Sequence, residues 1–171
     1  MAGVDGSITV NGYGSIYGIP EHAHKRIKFN PLNKFITHIG PDFGDDIWNK
    51  WRNGVMAENK VIYCPPDNID RGILRIDTKT DVVTELDVDL HPKRGDENNA
   101  FHAMWKSCAL ALDGCIYFMP YDARHIMKLD PNNNDAMISI GDDVYYRRAF
   151  VGTVGGIDSV SMGYLVDPVA S

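Results

Sequence analysis

The sequence predicts an all-β protein built from a repeated unit of four short antiparallel strands. Two observations carry this prediction. An apolar run, a polar turn, a second apolar run and a proline occur together more than once, which is the pattern of a two-stranded hairpin. In addition, no stretch keeps the apolar spacing of an α-helix, and turn residues recur at short intervals along the whole chain.

The repeat is clearest where a copy begins at a tryptophan and ends at a proline. Residues 51–66 and 105–120 are two such copies, and residues 15–20 are a shorter third copy. Ile16, Ile62 and Ile116 stand at one position of the repeat, so the period is 46 and then 54 residues. A period of about 40–50 residues with four strands in each unit predicts the blades of a β-propeller.

Each unit is expected to contain four strands. In the first unit, the first strand is predicted at residues 7–10 and the fourth at 35–39. The second unit has predicted strands at 54–57, 61–63, 73–76 and 82–86. The third unit has predicted strands at 108–112, 115–117, 126–129 and 137–140. The third strands alternate as half-buried strands do. Asp113 and Gly114 are read as a two-residue turn, which places Leu112 opposite Cys115 and Cys108 opposite Met119.

The turns between third and fourth strands open with Asn or Asp, at Asn30, Asp77 and Asp130, as type I turns favour. Gly40 and Gly141 are expected to end two of the fourth strands. The stretch from Asp130 to Asp135 resembles the start of a calcium loop. It lacks the glycine and the glutamate that such a loop needs, so it is read as a turn.

The chain is predicted to form one repeat domain over residues 1–171. Its blades are placed at about 5–47, 48–100 and 101–147, with a partial blade at 148–171. About three and a half blades fall short of the roughly four to eight of closed propellers. Since soluble proteins avoid an open sheet edge, we expect the ring to be completed by the N-terminal strands, by another chain or by further sequence.

Composition limits the classes of partner. A net charge of −6 and an isoelectric point near 5.4 argue against nucleic acid. No apolar run reaches the roughly 18 residues of a membrane span, and no signal peptide is recognised. Cys64, Cys108 and Cys115 are expected to be small buried hydrophobic side chains. An odd cysteine count with no fitting pair favours an intracellular, reducing compartment, the cytoplasm or an organelle interior.

Polar loops follow the second strand of each unit, and they are the predicted binding region because such loops can gather at one mouth of a propeller channel. If they converge, His22, Asn68 and Asp122 form one ring and His24, Asp70 and Arg124 form another. Such rings can bind a small anion, a divalent ion or a peptide, although polar loops are also ordinary at any exposed turn. The candidate ligand-binding residues are His22, His24, Asn68, Asp70, Arg71, Asp122, Arg124 and His125. No catalytic triad, phosphate loop, cofactor or metal site is predicted.

Recurrent aromatic residues are expected to pack blade against blade. They are Trp51, Trp105 and Phe150 at one repeat position and Tyr17, Tyr63 and Tyr117 at another.

The repeat pattern resembles the short repeats of propeller families. It consists of W-x-x-G/C, an alanine, I-Y and a proline, followed by L-x-I-D or K-L-D-P. In layout it is similar to the kelch, NHL, regucalcin/gluconolactonase and virginiamycin B lyase propellers. The resemblance implies the fold, whereas this fold carries binders, scaffolds and enzymes alike.

Three functions are therefore considered. The first is a non-catalytic binding or scaffold module that contacts another protein or its own copies. The alternative is an enzyme of the lactonase or lyase kind, with a metal or a His or Arg general acid at the channel mouth; its candidate residues are His22, His24, Asp70, Asp122, Arg124 and His125. The third is a small-ligand binder that uses Trp48 or Trp51.

Overall fold

The computed structural model describes residues 8–10, 14–44, 49–67, 71–87, 104–121, 123 and 125–141. These residues form strands and turns, and no helix among them is long and apolar enough to cross a membrane. The strands are β1 (Ile8–Val10), β2 (Ile16–Gly18), β3 (Arg26–Asn30), β4 (Phe35–Ile39), β5 (Val55–Met56), β6 (Val61–Cys64), β7 (Ile73–Asp77), β8 (Val83–Leu86), β9 (Trp105–Leu110), β10 (Ile116–Pro120), β11 (Ile126–Asp130) and β12 (Ala136–Ile140).

The strands form three four-stranded antiparallel sheets, each in simple chain order. We call them blade 1 (β1–β4), blade 2 (β5–β8) and blade 3 (β9–β12). The first strands of neighbouring blades, β1 with β5 and β5 with β9, lie beside each other. The first strands are therefore innermost and the fourth strands outermost. This is the arrangement of propeller blades, so the predicted all-β, propeller-type fold is confirmed.

Blade 2 is covered on both sides. Each blade has a forward face, towards the next blade in the sequence, and a backward face. The strand β6 illustrates both, because all four of its residues are buried. Val61 and Tyr63 pack forward in the core shared with blade 3, whereas Ile62 and Cys64 pack backward in the core shared with blade 1. Because the side chains of such a strand alternate between two covered faces, all of its positions are apolar.

The third strands differ in burial for the same reason. In β11, Met127 and Leu129 are buried and their neighbours are partly exposed, as predicted for a half-buried strand. In β7, Ile73 and Leu74 are both fully buried, one on each face, so the half-buried prediction is wrong for blade 2.

The hairpin between β9 and β10 is one residue wider than predicted. The Ala111 amide donates to the Cys115 carbonyl at 2.9 Å, and Cys108 pairs with Phe118 rather than with Met119. The loop is therefore residues 112–114, and Gly114 closes it in the left-handed region with a φ of 77°. A type I turn followed by such a residue preserves the twist of the strands, which a plain type I turn would not.

Cys64, Cys108 and Cys115 are buried, as predicted, and none of them forms a disulfide within the described part of the chain. Burial raises the pKa of the Cys108 thiol to about 12 and raises that of Cys64 well above its usual value. All three side chains are thus protonated packing groups at neutral pH.

The turns between third and fourth strands lie where they were predicted. Side-chain oxygens of Asn30, Asp77 and Asp130 accept the amide of the residue two positions later, at 2.8–2.9 Å. In blades 1 and 2 the last turn residue, Lys34 or Asp81, has a positive φ of 61° or 58°. These two residues occupy one position of the repeat, because each also donates its amide to the first residue of its turn.

Trp51 and Trp105 are buried in the cores between blades, as predicted. Each indole N–H donates to the carbonyl in front of the third strand of its own blade, at Gly72 (2.9 Å) and His125 (3.2 Å). Each ring thereby ties the first strand to the third. Phe150 lies outside the described residues.

Candidate functional site

Four of the eight predicted ligand-binding residues are described by the structure: His22, His24, Arg71 and His125. Asn68, Asp70, Asp122 and Arg124 lie outside the described residues. The two predicted rings of loop residues therefore stay predictions.

The two loop histidines lie beside different carboxylates. His22 Nε2 is 3.8 Å from Glu21, and His24 Nδ1 is 3.9 Å from Asp42, which Lys25 also approaches at 3.8 Å. The backbone amide of Gly44 holds the pKa of Asp42 below its usual value, so that this carboxylate is charged at neutral pH. Within the described part of the chain, no three His, Cys, Asp or Glu side chains are grouped as metal ligands.

Arg71 and His125 belong to the packing of the blades. Arg71 donates to the carbonyl of Phe43 at 3.1 Å and lies 3.4 Å from Glu85. The Glu85 carboxylate also accepts the Gly72 amide at 2.7 Å, which fixes the start of β7. His125 supplies the carbonyl that Trp105 binds, while its own Nδ1 is buried and has no hydrogen-bond partner in the part of the chain that the structure describes.

A chain of backbone hydrogen bonds links the three blades at one edge. We call this edge the mouth; there the second strands end and the first strands begin. The Lys50 amide donates to Glu21, the Asp67 amide to Lys50, the Met104 amide to Asp67 and the Tyr121 amide to Met104, at 2.9–3.2 Å. Links within a blade alternate with links between blades, so the mouth is continuous from blade 1 to blade 3.

Charged side chains sit on this backbone chain. The guanidinium of Arg52 joins Asp67 of its own blade, with Nε 3.1 Å from Oδ2, to Glu21 of blade 1. Both carboxylates and Lys50 are buried, whereas Arg52 is partly exposed. At the corresponding place in blade 3, the Lys106 ammonium lies 3.8 Å from the centre of the Tyr121 ring. At the mouth, a partly exposed arginine thus covers two buried acids, and a partly exposed lysine covers a tyrosine ring.

The sequence prediction missed this network because it followed the histidines. A usable signal was present: Glu21, Asp67 and Tyr121 each follow the proline that ends a second strand, at Pro20, Pro66 and Pro120. Residues at one repeat position meet at one edge of a propeller.

A buried arginine marks the junction of blades 1 and 2. Arg26 is almost completely buried and stands where the other third strands have Ile73 and Ile126. Its guanidinium lies 3.7 Å from the centre of the Phe43 ring, and Nη1 donates to the Pro41 carbonyl, but Nε and Nη2 have no hydrogen-bond partner among the described residues. Burial lowers the pKa of Arg26 to about 9, so the side chain is still charged at neutral pH.

A tyrosine, a cation and an aspartate recur at the blade junctions, and we call each set a triad. In the first, Tyr17 and Lys28 face each other on β2 and β3, and both contact Asp81 in the β7–β8 turn of blade 2, at 3.2 and 2.8 Å. Burial and the Asp81 charge raise the pKa of Tyr17, while the hydrogen bond to Asp81 raises that of Lys28. The triad thus joins two blades by charged hydrogen bonds.

The second triad repeats this arrangement between blades 2 and 3. The Tyr63 hydroxyl donates to Asp135 at 2.6 Å, and Arg75 Nε lies 3.3 Å from the same carboxylate, which comes from the β11–β12 turn. Asn59, in the β5–β6 loop, donates to the tyrosine oxygen at 3.2 Å. Burial raises the pKa of Tyr63 most, and the hydrogen bond to Asp135 raises it further.

The third triad lies within a single blade. Tyr117 and Lys128 face each other on β10 and β11, as before, but both contact Asp113 of the β9–β10 loop, at 2.8 and 2.9 Å. Asp113 occupies the repeat position of Asn59, one residue before the left-handed residue that ends its loop. The Lys128 and Tyr117 hydrogen bonds hold the pKa of Asp113 far below its usual value.

Comparison with known proteins gives the fold and not a family. No protein-family model matches the chain, and no curated protein matches it. Solved structures do match. A streptogramin B lyase superposes with a TM-score of 0.64 at 14% identity, over 90% of this chain and 45% of the lyase. Virginiamycin B lyase from Staphylococcus aureus gives 0.59 at 17% identity, over 86% of this chain and 44% of the lyase. An auxiliary nutrient binding protein from Bacteroides ovatus gives 0.57 at 13% identity, over 85% and 32%.

These neighbours are β-propeller-type proteins, so the likeness confirms the propeller fold. They include enzymes and binding proteins, and at these identities the fold does not choose between the two. The resemblance to virginiamycin B lyase noted in the sequence agrees with them, whereas the kelch, NHL and regucalcin resemblances stay predictions. The chain spans less than half the length of the two lyases.

Proposed function

We propose that this chain is a non-catalytic propeller module that assembles with another protein chain, whose blades stack on the outer faces of its described blades. The observation that supports the proposal is the contrast between the inner faces of the blade stack and its two outer faces. Positions that are buried between blades are open at both ends.

The backward face of blade 1 is one end. Ile36 is 62% exposed, whereas Val83, at the same repeat position in blade 2, is 8% exposed. Ile27 and Phe29 are partly exposed, although their counterparts in blade 2, Leu74 and Ile76, are fully buried. An apolar sheet face of this kind is ordinarily covered in a soluble protein.

The forward face of blade 3 is the other end. Tyr117, Met119 and Ile126 are partly exposed. The residues of blade 1 at the first two positions, Tyr17 and Ile19, are buried against blade 2. Both ends thus carry the side chains of a blade junction without the neighbouring blade being among the described residues.

The experiment is the mass of the purified chain in solution, by light scattering over a concentration series, followed by capture of partners if the chain is monomeric. Ile36→Lys should weaken the assembly, because it places a charge on the end face. Val82→Lys is the matched control, since Val82 is 52% exposed on a turn of the middle blade. A monomer that captures no partner, or an assembly that Ile36→Lys leaves unchanged, would contradict the proposal.

A further inference from the structure

We infer that the missing neighbour is a second copy of the same chain, with blade 1 of one copy stacked on blade 3 of the other and Lys34 placed on Asp113. The inference rests on the proposed assembly function and names its partner. It follows from the way in which the triads change at the two ends of the stack.

The internal junctions follow one rule. The blade that comes later in the sequence supplies an aspartate from the turn between its third and fourth strands. Asp81 and Asp135 come from such turns and have φ values of 58° and 56°. Each carboxylate reaches the tyrosine and the cation on the forward face of the preceding blade. Whatever stacks on blade 3 therefore brings the equivalent turn residue to Tyr117 and Lys128.

Blade 3 is not suited to receive another aspartate. Its tyrosine and lysine already hold Asp113, whereas blade 2 has the neutral Asn59 at that position. A second carboxylate would face the charge of Asp113 at close range, which is unfavourable. The Asp113 side chain is 43% exposed; its Oδ2 accepts from Tyr117 and Lys128, and its Oδ1 accepts the Cys115 amide at 3.1 Å. A carboxylate offers about four acceptor sites, so these three bonds leave one for another donor. It can therefore accept a further cation from outside the blade.

Blade 1 carries that cation at the required position. Lys34 is the last residue of its β3–β4 turn, with a φ of 61°, and its amide donates to Asn30 at 2.8 Å as that of Asp81 does to Asp77 at 2.9 Å. Lys34 is exposed. The acid and the base have thus exchanged sides: the forward end of the stack presents the aspartate and the backward end presents the lysine. The two ends are complementary in charge as well as apolar.

Two identical head-to-tail junctions close a ring with twofold symmetry and leave no open blade face. The apolar surfaces around Ile36 and Ile126 would be covered in both junctions at once.

The test exchanges the charges at the junction. Lys34→Asp should raise the dimer dissociation constant by ~10-fold or more, because it sets two acids against each other. Adding Asp113→Asn should restore affinity to within ~3-fold of the parent, because the double variant reproduces the chemistry of the Asn59 and Asp135 triad. Lys79→Asp, on an exposed turn of blade 2, is the control and should have no effect. Dissociation constants come from light scattering or sedimentation on dilution, and a thermal melt of each variant verifies folding.

The outcomes separate this inference from the proposed function. A dimer that ignores Lys34→Asp, or one that it weakens without rescue in the double variant, overturns the Lys34–Asp113 junction and leaves assembly standing. A monomer that captures a different protein overturns the second copy alone. A monomer without any partner overturns both proposals.

Discussion

Replacing Tyr63 with phenylalanine removes one hydroxyl from the second triad and tests whether the triad holds two blades together. That hydroxyl donates to Asp135 at 2.6 Å from a fully buried ring, and the carboxylate is 20% exposed. Hydrogen bonds to charged groups contribute about 1.5–3 kcal/mol, so we expect the free energy of unfolding to fall by about 2 kcal/mol. Tyr117→Phe is the matched control, measured at protein concentrations at which copies of the chain do not associate. Its partner, Asp113, is more exposed and lies within the same blade, so the loss should be below about 0.5 kcal/mol.

A double-mutant cycle with Asp135→Asn isolates what the charge of Asp135 adds to the contact. Asparagine keeps an acceptor for the hydroxyl and tolerates the positive φ of 56°, but it removes the charge that Arg75 faces. Urea unfolding of the four proteins should give a coupling of about 1–2 kcal/mol between the two positions. Additive losses, or equal losses for Tyr63→Phe and Tyr117→Phe, would refute the view that the triad joins the blades.

Three further predictions concern single positions and are measured by urea or thermal unfolding. Lys60→Gly should stabilise the protein by about 0.5 kcal/mol, because Lys60 has a φ of 70° where Gly14 and Gly114 stand in the other loops; a loss would contradict this. Gly54→Ala should cost about 1–3 kcal/mol, because a methyl group there would meet Cys64 Sγ at 2.7 Å, and unchanged stability would show that the sulfur moves aside. The Lys79 amide holds the pKa of Asp77 below its usual value. The stability that ionised Asp77 contributes is therefore present above about pH 4 and is lost as the pH falls further. Asp77→Asn should reduce this acid-dependent loss in the free energy of unfolding. An unchanged pH dependence would contradict the view that ionised Asp77 stabilises the turn.

The strands could be predicted because the repeat aligns positions that share one environment. Tyr17 and Tyr63 recur because each is buried at a blade junction, and Asn30 and Asp77 recur because each caps a turn. Periodicity in the sequence thus carried both the strand order and the packing of the aromatic residues.

The loop around Gly114 shows where local pattern was insufficient. Asp-Gly suits a two-residue turn, but Leu112 is 94% exposed and joins the loop, since pairing Cys108 with Phe118 buries both side chains in the core between blades. Register was decided by the buried face and not by the dipeptide.

The charged contacts were hidden for a different reason. Arg52 contacts Glu21 and Asp67; the repeat places these two acids at one position, but it does not show which base joins them. Triad membership likewise depends on which turn residue reaches across a junction, as Asp135 does. Such pairs are tertiary contacts that only a blade arrangement reveals.

The mouth is held by amides and carbonyls, and this has a consequence for how its surface can change. The links from Glu21 through Lys50, Asp67 and Met104 to Tyr121 involve no side chain, so substitutions there leave the scaffold bonds in place. Lys50, Asp67 and Met104 each donate through the amide and accept at the carbonyl, so each of these residues is held by two backbone hydrogen bonds. Amide hydrogens in these loops should therefore exchange with solvent slowly, although loops commonly exchange fast. A rigid rim with replaceable side chains is a surface on which recognition can diverge between relatives while the blades stay in register.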